Sequence, residues 1–168
     1  MRRSERQVND PAEIRDILDN ARLLFIAFHD EPAPLVLPQF FGHEQGRIYV
    51  HGAPRGARID LLAARAEVGF AAVAEAQVVA GKAACDFTAR ARSVVGTARA
   101  RIVDNEKEKR HGLDLMMNHY AGTGERFTYR VETLARTCVV ALEIITIMGK
   151  RIGGPPPQSG GQALPTGT

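Results

Sequence analysis

Six short β-forming runs, joined mainly by tight turns and separated by few helices, constrain this chain more than any other feature. They fall at residues 23–28, 34–41, 47–51, 68–73, 93–103 and 139–148, and most are bounded by Gly, Pro, Asp or Glu turn material. Helical periodicity is confined to three segments. Asp10-Pro11-Ala12-Glu13 offers an N-cap, a proline at the first helical position and an acid three residues past the cap. Ile14, Ile17 and Leu18 follow at helical spacing, which predicts a helix over 11–20. Residues 56–65, with Ile59, Leu62 and Ala63 inward, and 105–120, with Leu113, Met116 and Met117 as apolar contacts, predict two more. Residues 76–88 read equally as loop or hairpin. A doubly wound parallel sheet needs a helix after almost every strand, so this count argues for a closed or nearly closed antiparallel barrel.

The chain has 168 residues, 45% of them apolar, enough for one domain with a proper core. That domain is expected over 1–152. Residues 153–168, GGPPPQSGGQALPTGT, are too poor in apolar side chains to offset their ordering entropy and are expected to be a disordered tail. The net charge of +3 is spread along the sequence, and no basic run is interleaved with aromatics, so nucleic acid is not an expected partner. Nor is a membrane, because no apolar stretch approaches spanning length. Cys85 and Cys138 stand far apart without metal-ligand spacing, and the start has no signal-type apolar core. Both features fit a cytoplasmic protein without a metal site.

The stretch 47–58, RIYVHGAPRGAR, carries the most chemistry. A β-run delivers His51 into a Gly/Pro turn, after which Gly56 and Arg58 open a helix-like segment. First-turn amides of a helix lack internal partners and favour an anion. Gly52 and Gly56 leave room for close approach, and Arg55 and Arg58 add positive charge, so a phosphate-bearing ligand fits. An ordinary β-to-α connection with two solvated arginines explains the same spacing equally well. No G-x-G-x-x-G or G-x-x-x-x-G-K-[ST] is present, which removes the Rossmann and P-loop readings.

The order of motifs resembles a known family. A short N-terminal helix follows Met-Arg-Arg, then come Leu35 to Gly42 (LVLPQFFG) and Ile48 to Ala53 (IYVHGA) with Gly56 and Arg58. Ala84-Cys85-Asp86-Phe87-Thr88 leads into Ser93-Val94-Val95-Gly96, and Glu143 precedes Gly149-Lys150. Over about residues 1–150 the chain looks like the FMN-binding split-barrel family related to pyridoxamine 5'-phosphate oxidase, nearest its nitroimidazole-resistance (Nim-type) branch. The resemblance implies a mainly β fold: a six-stranded antiparallel split β-barrel with two to three flanking α-helices, paired as a homodimer with flavin at the interface. FMN is the implied cofactor, with FAD possible. Pro38, Gln39 and Phe40 would run along the flavin ring edge, largely through backbone groups. Val50, His51, Gly52 and Ala53 would border the phosphate and ribityl chain, Arg58 would hold the phosphate, and Ser93 would face the cofactor. His51 matches a histidine associated with the active site, and a strand-end histidine satisfied by backbone is its plain alternative. Two positions depart from the pattern: Gly52 replaces a frequent Ser, and Ala91 a frequent Tyr.

The implied activity is a small flavin-dependent oxidoreductase, passing electrons from a nicotinamide donor to a small-molecule substrate such as a nitroaromatic or quinone. A flavin carrier or sensor without turnover is the alternative, and a haem-binding split barrel a lesser one. Pyridoxamine phosphate is not supported as substrate, since no second basic cluster is evident. Of the remaining residues, His43 is expected in a solvent-facing turn, and His111 and His119 on an exposed helix face. Cys85 reads as a small buried hydrophobe, Met116 and Met117 as core fillers, and Arg90 and Arg92 as a solvated or dimer-edge face.

Overall fold

Alternation of apolar and polar side chains at a period of two dictates most of the architecture, because each strand then has one face for a core. The computed structural model describes residues 4–122 and 127–153. Among these, eight strands and four α-helices follow one another. They are β1 (Gln7–Val8), α1 (Pro11–Asn20), β2 (Leu24–Phe28), β3 (Leu35–Gln39), β4 (Phe41–Glu44) and β5 (Arg47–Gly52). Then come α2 (Ala57–Ala64), β6 (Glu67–Val79), β7 (Thr88–Ile102), α3 (Glu106–Ala121), α4 (Val131–Arg136) and β8 (Cys138–Ile152). All strand pairs are antiparallel, in the order β3-β2-β6-β7-β8-β5-β4, with β1 added to β8. This is a split barrel.

The strand count exceeds the expected six for local reasons. The run at 34–41 is divided at Phe40, so that β3 and β4 pair with different neighbours, β2 and β5. The short β1 had no sequence signal. The segment at 76–88 is a hairpin: β6 and β7 run on past the barrel, with a bulge between Val73 and Glu75. The three expected helices form within a residue or two of their predicted ends, and Asp10 caps α1 through its side chain to the Ala12 amide at 3.1 Å. The short α4, at six residues, is too brief to show a helical period. Residues 154–168, nearly all of the expected tail, lie outside the described residues.

Two cores share the sheet. Inside the barrel, Leu24, Ile26 and Phe28 of β2 meet Val68, Phe70 and Ala72 of β6, Val94 and Ala98 of β7, and Val140 and Leu142 of β8. Ile17 and Leu18 of α1 and Leu62 of α2 close that core. The second core lies outside the barrel, where α3 and α4 lay Leu113, Met116 and Leu134 on Tyr49, Val139 and Ala141. Glycine makes this close approach possible. A Cβ on Gly112 would stand 2.7 Å from the Tyr49 ring, and one on Gly42 2.4 Å from the Met116 nitrogen.

Several side chains depart from the sequence expectations. His43 lies within β4 and not in a turn; its ring is nearly covered and its Nε2 is 2.8 Å from Asp19 Oδ1. His119 is not on an exposed face, since its Nε2 is 2.9 Å from the Ala21 carbonyl and its ring packs on Phe41. Cys85 is exposed, because the hairpin tip that carries it projects away from both cores. Arg92 is drawn inward to ion pairs with Asp16 and Glu75. Met116 is buried as expected, but Met117 is 39% exposed on the other side of α3.

Candidate functional site

The junction of β5 and α2 is built as the sequence suggests and is tied to β3. Gly56 at φ 115° turns the chain into α2 in a conformation that L side chains rarely adopt. No side chain caps this helix, and the first amides bonded back to Gly56 are those of Ile59 and Asp60. The amides of Ala57 and Arg58 therefore remain for an external acceptor. Arg55 is exposed beside them.

Arg58 reaches back across the strand end. One terminal nitrogen donates to Gln39 Oε1 at 3.1 Å and to the His51 carbonyl at 3.2 Å, and the other donates to the Ala53 carbonyl at 3.4 Å. Three of the five guanidinium N–H groups are thereby engaged, all by uncharged oxygens. No carboxylate is within ion-pair distance among the described residues. Burial pulls Arg58 below the ordinary guanidinium value, with the nearby Cys138 thiol opposing. A half-buried cation held only by neutral oxygens attracts an anion strongly. Gly52 is part of the arrangement, because a Cβ there would come 2.8 Å from one Arg58 nitrogen and 3.0 Å from the other. The departure from serine at this position thus makes room for the guanidinium.

Gln39 joins the site through its side chain, where the sequence suggested mainly backbone. Pro38 and Phe40 are exposed beside it, Phe40 at 60%. Val50 is buried in the barrel core, so it supports the site from beneath without lining it. His51 alternates to the other side of β5 from Val50 and is exposed, while its carbonyl holds Arg58. Partial covering of the ring, and then the Arg58 charge, pulls the His51 imidazole below its ordinary value. Its ring nitrogens have no hydrogen-bond partner among the described residues, unlike those of His43, His111 and His119.

Ser93 is not brought to this corner. Gln39 pairs with Leu24, Leu24 with Ala72, and Ala72 with Val94, which places the adjacent Ser93 three strands away on the outer face of the sheet. A residue the sequence did not single out is Tyr120, near the end of α3. Its hydroxyl donates to the Arg22 carbonyl at 3.0 Å and accepts from the Phe41 amide at 3.1 Å. Its ring meets Phe40 edge-on, with centroids 5.1 Å apart. A lone aromatic just before a helix-ending Gly122 was the only available hint. A groove of about 730 Å³ lies elsewhere, between α1 and the β4–β5 hairpin, with Ile14, Leu18, Ile144 and Ile147 below and His43 and Asp19 at its edge.

Strand order and corner together define a split barrel with a half-buried guanidinium beside an uncapped helix start at one end. The chain belongs to the pyridoxamine 5'-phosphate oxidase family, whose sequence pattern it matches over residues 10–151. A candidate 5-nitroimidazole antibiotic resistance protein from Bacteroides thetaiotaomicron is similar in structure, with a TM-score of 0.77 and 26% identity over 87% of this chain and 86% of that one. The flavocytochrome Anf3 from Azotobacter vinelandii superposes with a TM-score of 0.76, 23% identity and coverage of 96% and 83%. An FAD and heme binding protein from Mycobacterium smegmatis gives 0.78, 23%, and coverage of 92% and 77%. At 23% identity, the last two are likenesses of fold. No curated protein matches the sequence. No described helix is long and apolar enough to cross a membrane, and no group of three or more candidate metal ligands occurs among the described residues.

Proposed function

We propose that the chain binds a flavin, FMN in preference to FAD, and acts as a small flavin-dependent oxidoreductase. The observation that carries this reading is the Arg58 guanidinium, held over Gly52 by neutral oxygens with no carboxylate partner among the described residues. Arg58 and the free amides of Ala57 and Arg58 hold the terminal phosphate. A single cradle of this kind suits the one phosphate of FMN. Gln39 fixes Arg58, and Pro38 and Phe40 offer an edge to the ring. When bound, the flavin supplies hydride and electron transfer between a nicotinamide and a small acceptor, such as a nitroaromatic or quinone. The protein's part is to orient the ring, shield it from water and present the His51 imidazole as an acceptor or relay for a proton at the strand end.

Two copies are part of this reading. Ser93, expected to face the cofactor, lies on the opposite flank of the sheet from Arg58, so a homodimer lets the Ser93 of one copy meet the corner of the other. The test is direct. The purified protein should be yellow or take up FMN stoichiometrically, and anaerobic NADH or NADPH should bleach the visible flavin band. Binding without bleaching by either donor favours the carrier reading; absence of flavin binding sinks both. Haem alongside flavin is a second reading, favoured by the fold shared with a flavocytochrome and an FAD and heme binding protein. His51, with its free ring nitrogens, is the candidate ligand, and a Soret band on haem addition that His51→Ala abolishes is the expected sign.

A further inference from the structure

The sheet has a gap beside β8. One edge of this strand pairs with β7 from Val140 to Ile152. The other edge pairs with β5 as far as Glu143 and takes up β1 only at Gly149 and Lys150. A bond from the Ile144 amide to the Gly46 carbonyl, at 3.0 Å, ends the β5 contact. Residues 145–148 therefore have no strand on that side among the described residues. A bulge turns Ile145 outward, 57% exposed, and leaves Ile144 and Ile147 both against the barrel core. The groove of about 730 Å³ opens at this gap, between α1 and the β4–β5 turn. Its volume is that of a small-molecule site.

The floor is aliphatic and the rim is charged. Ile14 and Leu18 of α1 join Ile144 and Ile147 below. At the rim the His43 side chain is 10% exposed and holds one oxygen of Asp19, whose carboxylate is otherwise open to water. Arg15, one helical turn before Asp19, has no carboxylate within ion-pair distance among the described residues. Opposite charges four residues apart on a helix commonly pair with each other. Here Asp19 turns to His43 and leaves Arg15 over. Burial holds the His43 imidazole below its ordinary value against Asp19, and the charges of His119 and Arg15 add to that, so Arg15 stands on the His43 side of α1. Glu44, the other carboxylate of the rim, is already engaged by Arg47, His111 and the Tyr49 hydroxyl.

The groove thus presents an unpaired cation and a half-used anion about 6 Å apart along the helix axis. A ligand with one charge is attracted by the first and repelled by the second, or the reverse. A zwitterion satisfies both, and two residues of extended chain span about 7 Å. We propose that this groove binds a dipeptide with aliphatic side chains, its carboxylate on Arg15, its ammonium group on Asp19 and its side chains on the floor of Ile14, Leu18, Ile144 and Ile147. The site shares no residue with the Arg58 corner and does not depend on the flavin reading.

Calorimetric titration of the full chain with L-leucyl-L-leucine, without and with FMN, tests it. One molecule should bind per chain. Arg15→Ala should weaken binding about tenfold or more, the scale of a hydrogen bond to a charged group. Asp19→Asn, which keeps an acceptor for His43, should do the same. Both side chains are exposed, so circular dichroism should not change in either variant. The dipeptide acetylated and amidated at its ends should bind at least about tenfold more weakly than the free one. No heat of binding at about 1 mM dipeptide overturns the site. An unchanged affinity in either variant, or a capped dipeptide that binds as tightly as the free one, overturns the charge pairing. Free leucine binding as tightly as the dipeptide overturns the span between Arg15 and Asp19. Binding that appears only on removal of residues 154–168 overturns the proposal by making those residues the occupant. A chain that binds the dipeptide and takes up no flavin upholds the groove and removes the proposed function instead.

Discussion

The two halves of the outer sheet surface are made of similar residues and meet opposite fates. Over β5 and β8, Tyr49, Val139 and Ala141 vanish beneath α3 and α4. Over β2, β3, β6 and β7, Phe25, Val36, Val73 and Val95 stay half in water, and no described helix crosses them. The covered half also carries a polar clasp, in which the Tyr49 hydroxyl accepts from Arg47 and reaches Glu44 and Glu108, each at 3.2 Å. Arg101 binds Glu108 and Glu143 alongside, which holds Arg101 above its ordinary value and Glu108 below. Among the described residues the bare half has no such clasp. The helices over the covered half are fixed by specific polar contacts, whereas the other half stays apolar and plain.

The sharpest way to break this contrast is truncation on both halves. Met116→Ala should cost about 2–5 kcal/mol of unfolding free energy, and Val36→Ala less than about 0.5 kcal/mol for a single copy, both by urea denaturation at high dilution. Equal costs would remove the distinction. Next in size is the corner itself. Arg58→Ala should weaken FMN by about 1.5–3 kcal/mol in a fluorescence titration, the scale of hydrogen bonds to a charged group. Unchanged affinity would move the phosphate elsewhere.

A smaller effect is expected of Gly52→Ala. Its methyl group meets only the flexible end of Arg58, so the chain should fold while FMN affinity drops by about 0.5–1 kcal/mol. The smallest contrast is in acid. Burial pulls His43 below the ordinary imidazole value despite Asp19, so the unfolded chain takes up that proton first. Its contribution is full above about pH 6.5 and is lost as pH falls through that value towards the folded one. Thermal unfolding should therefore shift to lower temperature between about pH 7.5 and 5.5, and His43→Gln should flatten the shift. An unaltered slope would place the sensitive group elsewhere.

Much of the barrel could be read from the sequence because its signals are local. The cap at Asp10, the alternation in β2 and the turn around Gly46 need no distant partner. The corner was legible for the same reason: Gly52, Gly56 and Arg58 are six residues apart at most. What failed depended on long-range packing. His43 and His119 look solvent-facing in isolation and become partly covered only because α1 and α3 close on β4. Cys85 follows two alanines, which suggests a core, yet its hairpin leaves the core altogether. The Gln39 side chain meets Arg58 across nineteen residues, a contact that no spacing rule reveals.

The Tyr120 hydroxyl fastens three stretches that are far apart in sequence: the exit from α1, the first residue of β4 and the last turn of α3. Phe40 leans on the same ring. Loosening that one latch, as Tyr120→Phe does without removing the ring, frees the β3–β4 corner to swing while the barrel stays whole. The far end of a helix on the covered flank thereby governs how steadily the aromatic edge at Phe40 is presented to whatever stacks upon it.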